Sequence, residues 1–148
     1  MENITAVEVY KRVKSAPEHT FIIDIRTQAE YELVGHPAMA YNIPYEFWGP
    51  GGNKKNPHFV EDVFERFSYS DLLIILCRSG TRSAAACEDL AKTGFQNILD
   101  MSDGFEGLKV DNEESIYYGY RRHLNGWQYE GLPYTYEIDP NFSYQRSQ

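Results

Sequence analysis

The segment Cys77-Arg78-Ser79-Gly80-Thr81-Arg82-Ser83 combines a thiol, two guanidinium groups and a glycine within seven residues. It follows the apolar run Leu72 to Leu76, which reads as a buried strand, and it feeds a helix expected from Ser83. A loop between a strand end and a helix N-terminus turns backbone N–H groups inward and makes an anion cradle. Gly80 allows the tight bend. Arg78 and Arg82 carry the only charges between Asp71 and Glu88. Helix dipole, loop amides and both arginines favour the Cys77 thiolate over the thiol, so no separate base is required. The chemistry implied is a nucleophilic sulfur facing a small anionic substrate. A cysteine after a buried strand is ordinarily a small core hydrophobe. The arginines and the glycine overturn that reading at Cys77. Cys87, on the apolar face of the next helix, keeps it and is only a weak candidate for a resolving thiol.

The rest of the chain supplies elements in alternation. Thr5 and Glu8 form a capping box, with Val7, Tyr10 and Val13 at helical spacing and Pro17 as a stop. Phe21 to Ile25 reads as a strand. Thr27 and Glu30 form a second capping box, opening a short helix that runs to about Val34 and ends at Gly35. Met39 to Ile43 reads as a strand, and Phe47 to His58 as a loop by composition. Phe59, Val63, Phe64 and Phe67 sit at helical spacing. A helix from Ser83 to Thr93, capped by Gly94, precedes a last strand from Asn97 to Met101. The order predicts an α/β fold with a mostly parallel sheet and helices on both faces.

Composition narrows the function classes. The 148 residues are 42% hydrophobic and 24% charged, as in an ordinary folded domain. A net charge of −8 argues against nucleic acid and anionic membrane as partners. The longest apolar run is far shorter than a membrane span, and the N-terminus shows no signal-peptide pattern. Two cysteines make neither a disulfide framework nor a metal pair, and the four scattered histidines offer no metal spacing. Neither a metal nor any other cofactor is expected, and the location expected is cytoplasmic. Seven of the twelve tyrosines fall between Tyr117 and Tyr144, a segment expected to pack on the same domain or, failing that, to dock a partner.

In its ordered motifs the chain resembles the single-domain rhodaneses, the thiosulfate sulfurtransferase family. The motifs are Asp24-Ile25-Arg26, Glu30-Tyr31, Gly35-His36, Ala40-Tyr41-Asn42-Ile43-Pro44 and the Cys77–Ser83 loop. Gly94-Phe95-Gln96-Asn97, Asp103-Gly104-Phe105, Gly126-Trp127 and Gly131-Leu132-Pro133 complete the series. The resemblance implies a rhodanese-like, about five-stranded sheet over residues 1–135, followed by a tyrosine-containing tail over 136–148. It also implies sulfur transfer, because the loop from Cys77 to Arg82 has the six-residue length of sulfurtransferases and lacks the extra residue of related phosphatases. By the same resemblance Asp24 and Arg26 brace loops. Four features depart from the family pattern: the glycine-rich Phe47–Asn56 segment, Asp103 in place of one of a glycine pair, Leu108 where an aromatic often follows that pair, and an insertion between Gly107 and Trp127.

The roles expected are therefore as follows. Cys77 is the nucleophile, and Arg82 stabilises its thiolate and locks the loop. Arg78 orients the sulfonate of a thiosulfate-like donor, and the loop through Ser79, Gly80, Thr81 and Ser83 holds the transferred sulfur. A thiol or an acceptor protein takes the sulfur on, through a Cys77 persulfide. Two alternatives stand beside this one: a persulfide carrier or docking module with slow turnover, and a cysteine-dependent phosphatase or arsenate reductase. His36 is expected to be structural. Trp48, Lys54 and Lys55 are expected either to form a lip over the cradle or to be an ordinary solvated loop.

Overall fold

A computed structural model describes residues 2–145; residue 1 and residues 146–148, the end of the expected tail, lie outside the described part. Seven strands and three α-helices alternate: β1 Glu2–Asn3, α1 Ala6–Ser15, β2 Thr20–Asp24, β3 Ala40–Asn42, β4 Glu46–Phe47, β5 Lys54–Lys55, α2 Phe59–Arg66, β6 Leu72–Leu76, α3 Thr81–Lys92 and β7 Ile98–Met101. Five strands form one sheet in the order β1-β7-β6-β2-β3, and every pairing in it is parallel. This is the expected α/β architecture. Its fifth strand, β1, is only two residues long at the sheet edge, too short to show periodicity in the sequence.

Both faces of the sheet are buried, which explains why its central strands read as unbroken apolar runs. Ile23, Ile75 and Ile98 pack against Phe59 and Val63 of α2 and Cys87 and Leu90 of α3. Ile22, Ile74, Leu99 and Met101 face the other way, against Val9 and Val13 of α1 and against Tyr31, Phe105 and Trp127. The Thr5–Glu8 capping box forms as expected. The helix it opens buries Ala6, Val9 and Val13, so its inward stripe is rotated away from Val7. Thr27 and Glu30 also bond reciprocally, but the turn that follows, Glu30–Val34, is π-helical rather than α-helical. Among the described residues no helix is long and apolar enough to cross a membrane.

One expectation about loops changes and one holds. The Phe47–His58 segment is partly a hairpin, with Glu46 opposite Lys55 and Phe47 opposite Lys54. Asn56 ties its base, donating to Pro44 O at 2.9 Å. The tyrosine-rich segment is built of turns and packs on the domain. Trp127 is fully buried and donates its indole N–H to Pro133 O at 2.8 Å. Farther on, Phe142 packs against Tyr41 with ring centroids 4.6 Å apart and planes tilted by 40°, and Tyr144 donates to Asp62 at 2.7 Å.

An ion pair with no exposed surface braces the loop after β2. Arg26 reaches both carboxylate oxygens of Asp24, at 2.9 and 2.6 Å, and donates to Gly35 O at 2.7 Å. Its guanidinium also lies 4.3 Å from the Phe105 ring centroid. Burial works against the Arg26 charge, yet Asp24 more than offsets it and holds the group above its ordinary value. Removing one partner of such a pair leaves a bare buried charge. Asp24→Ala is therefore expected to lower stability by about 3–5 kcal/mol, read from the urea midpoint. The apolar double variant Asp24→Leu/Arg26→Met should recover most of that loss; an Asp24→Ala protein of unchanged stability would contradict the assignment.

Candidate active site

The chain leaves β2 toward β3 on one side and leaves β6 toward β7 on the other. The loops after β2 and β6 therefore diverge, and a crevice opens between them at the carboxyl ends of the strands. A cavity of about 570 Å³ occupies that position. Thr27, Ala29 and Glu30 line it from the β2 side, and Cys77, Arg78, Ser79, Thr81 and Arg82 from the β6 side. Trp48 and Asn53 of the hairpin and Arg121 of the insertion complete the wall.

Cys77 sits directly after the central strand, almost fully buried, and its Sγ accepts the Gly80 N–H at 3.0 Å. The helix begins earlier than expected, at Thr81 rather than Ser83, and Gly80 is its cap in a left-handed conformation. Gly80 supplies no side-chain cap to the helix amides, and no acidic residue lies in the first turn. The first-turn amides of a twelve-residue helix thus stay open beside the sulfur.

The loop is held by backbone neighbours. Phe105 N donates to Cys77 O at 2.8 Å, and Glu106 N and Gly107 N donate to Arg78 O at 3.0 and 3.1 Å. Two glycines permit this approach. A Cβ on Gly80 would lie 2.3 Å from Ser102 O, and one on Gly104 would lie 2.3 Å from Arg78 O. Asp103 in turn accepts the Ala6 N–H at the start of α1, 3.2 Å away, which gives that departure from the family pattern a structural use.

The structure separates the expected site residues. Arg78 is exposed at the cavity, and Ser79 and Thr81 line it. Ser83 does not line it: its side chain is buried and its hydroxyl donates to Gly80 O at 3.0 Å, so it positions the loop. Arg82 makes a bidentate pair with Glu30, at 2.9 and 3.0 Å, which locks the β6 loop to the β2 loop. Burial pushes the Glu30 carboxyl up, but the Arg82 contacts outweigh this and leave it below the usual glutamate value. Glu30 was legible in the sequence as a capping residue only. Lys54 and Lys55 are absent from the cavity wall, and Lys55 instead pairs with Asp89 of α3 at 3.0 Å. Arg121 was missed; the one sequence signal was a basic pair, Arg121-Arg122, in an acidic stretch. Cys87 is fully buried, and burial, followed by the Asp100 charge, pushes its thiol up to about 12. It therefore stays a thiol and acts as core. His36 is structural, stacked on the Tyr31 ring at 3.6 Å with Nδ1 2.8 Å from Tyr31 O.

Comparison with known proteins fits this geometry. The model of the rhodanese-like domain matches residues 5–111. The chain belongs to the rhodanese-like family. It is 41% identical over 83 residues to thiosulfate sulfurtransferase 16, chloroplastic, of Arabidopsis thaliana, covering 56% of this chain and 68% of that one. It is 39% identical over 83 residues to senescence-associated protein DIN1 of Raphanus sativus, again over 56% of this chain, and spans 45% of that relative's length. The crystal structure of Rv0390 from M. tuberculosis superposes with a TM-score of 0.76 at 26% identity, over 93% of this chain and 98% of that chain. That superposition reaches beyond the family match into the tyrosine-rich segment.

The Glu30–Arg82 pair sets a pH dependence. A carboxyl whose folded value is depressed contributes stability above its unfolded value, about 4.3, and loses it as pH falls through the lower folded value. Glu30→Gln is expected to cost about 1 kcal/mol at neutral pH, since the pair is partly exposed. The gap to the unmodified protein should start to narrow as pH falls past the unfolded value and vanish only below the depressed folded value, where Glu30 is protonated in the folded protein too. A gap that persists unchanged into acid would show that the charge is not what Glu30 contributes.

Proposed function

We propose that the protein is a sulfurtransferase that moves sulfane sulfur from thiosulfate, or a similar anionic donor, to a thiophilic acceptor through a persulfide on Cys77. The observation that carries this reading is the Cys77 sulfur at the uncapped start of α3, within hydrogen-bond distance of Gly80 N–H and open to a cavity lined by arginines. Membership of the rhodanese-like family and a relative named as a thiosulfate sulfurtransferase support it.

In the first half-reaction the Cys77 thiolate attacks the outer sulfur of thiosulfate. The sulfur–sulfur bond of the donor breaks, its electron pair leaves with sulfite, and Cys77 carries the outer sulfur. The outer sulfur keeps its negative charge as it passes to Cys77, and the loop amides and the first turn of α3 are already placed to meet it. Arg78 meets the sulfonate. In the second half-reaction cyanide or a thiolate attacks the outer sulfur, and the electron pair of the persulfide bond returns to Cys77. Arg82 acts through Glu30, holding the two loops at a fixed separation.

The persulfide-carrier and docking alternative called for a tail free to meet a partner, whereas residues 141–145 are engaged with Asn42, Asp62 and Arg66. The phosphatase and arsenate reductase alternative calls for a wider ring than Cys77 to Arg82 supplies.

Steady-state transfer from thiosulfate to cyanide tests the proposal. Parallel lines in double-reciprocal plots are expected, as in a double displacement. Cys77→Ser should abolish thiocyanate formation, and retained turnover would remove Cys77 as the nucleophile. Arg78→Ala should raise the thiosulfate KM by about tenfold, the size of one charge-assisted contact. An unchanged KM would take Arg78 out of donor binding.

A further inference from the structure

The three arginines at the cavity are not equivalent. The Arg82 charge is spent on Glu30. Among the described residues neither Arg78 nor Arg121 forms an ion pair. Arg121 uses one N–H to reach Gly107 O at 2.8 Å and keeps the rest of its fork for another partner. Arg78 lines the same cavity, and burial and the Arg78 charge press the Arg121 protonation equilibrium downward, against the opposing pull of Glu106. Like charges held together in a cleft favour an anion between them.

Arg121 is also held there by construction. It lies outside the family match, on the insertion after Gly107. The next residue, Arg122, is the one non-glycine residue with a positive φ among the described residues, at 71°. That conformation is sparsely populated for a residue with a side chain. Three bonds hold it: Arg122 N to Glu106 O at 3.0 Å, Nη2 to Glu106 Oε1 at 2.8 Å and Nε to Gln128 Oε1 at 2.7 Å. The insertion is further seated where Gly107 meets Asn125, with room for no Cβ.

The cavity is much larger than inorganic thiosulfate requires. At about 570 Å³ it falls in the range of roughly 300–1,000 Å³ that organic ligands occupy. The exposed indole of Trp48 and the Ala29 methyl add apolar wall for a carbon skeleton.

We propose that Arg121, together with Arg78 once sulfite has left, forms an anion-binding subsite that selects small organic thiols carrying a carboxylate as acceptors. The inference rests on the persulfide reading above. In the step it describes, the acceptor thiolate attacks the outer sulfur of the Cys77 persulfide. The persulfide bond breaks, its electron pair returns to Cys77, and the acceptor leaves as an organic persulfide. The carboxylate meanwhile takes the fork of Arg121.

The experiment loads the full chain with thiosulfate, checks the added sulfur by mass, removes the donor and follows unloading by three thiols. They are 3-mercaptopropionate, 2-mercaptoethanol and cysteamine, which are anionic, neutral and cationic. Taking variant-to-unmodified ratios for each thiol cancels its own nucleophilicity. For Arg121→Gln the loss with 3-mercaptopropionate should exceed the loss with 2-mercaptoethanol by about tenfold, with cysteamine favoured, and Arg121→Lys should restore part of the preference. In the unmodified protein, added salt should slow the anionic thiol selectively, a readout that needs no variant. Equal losses with all three thiols, or no selective salt effect, would overturn the subsite. If the unmodified protein never gains sulfur, the persulfide reading itself fails, and the subsite falls with it.

Discussion

Backbone contact between the loop after β6 and the loop after β7 is the constraint on which the site depends. Ordinarily a catalytic loop is fixed by side chains packed around it. Here the carbonyls of Cys77 and Arg78 are taken up by the amides of Phe105, Glu106 and Gly107, and the chains approach where Gly80 and Gly104 have no Cβ. The carbonyls of the loop are thereby used up on its far side. What remains facing the cavity is the sulfur, the amides at the start of α3 and the arginines. An arrangement fixed before the substrate arrives does not have to reorganise as charge shifts in the transition state, and that is where such a site gains most.

Charge is then distributed with a division of labour. Two of the ion pairs are structural. Asp24–Arg26 lies wholly inside and sets the path of the chain after β2, while Glu30–Arg82 spans the crevice and fixes its width. At the cavity, Arg78 and Arg121 form no ion pair among the described residues, so positive charge gathers beside the sulfur in a chain whose net charge is −8.

Much of this was legible in the sequence, for physical reasons that differ from place to place. Leu72 to Leu76 had to be a doubly covered strand, because nothing else accommodates five consecutive apolar residues ahead of a charged loop. The Cys77–Arg82 spacing declared the cradle, because sulfur, glycine and arginines were contiguous. Local signals stopped short where the partner was distant in sequence. Glu30 announced itself as a cap for Thr27, while its bond to Arg82 spans the sheet. Lys55 resembled a lip residue, while Asp89 on α3 claims it. The helix expected from Ser83 starts at Thr81, because Gly80 serves as its cap where a side chain would collide with Ser102. Arg121 had no readable signal beyond its charge, since only the folded insertion brings it to the cavity.

The account turns on whether sulfur is carried by Cys77. Intact mass followed by peptide mapping after incubation with thiosulfate measures this directly. The account predicts a gain of one sulfur atom, located on the peptide containing Cys77, released by cyanide as thiocyanate. No added sulfur, or sulfur found on Cys87 instead, would contradict it.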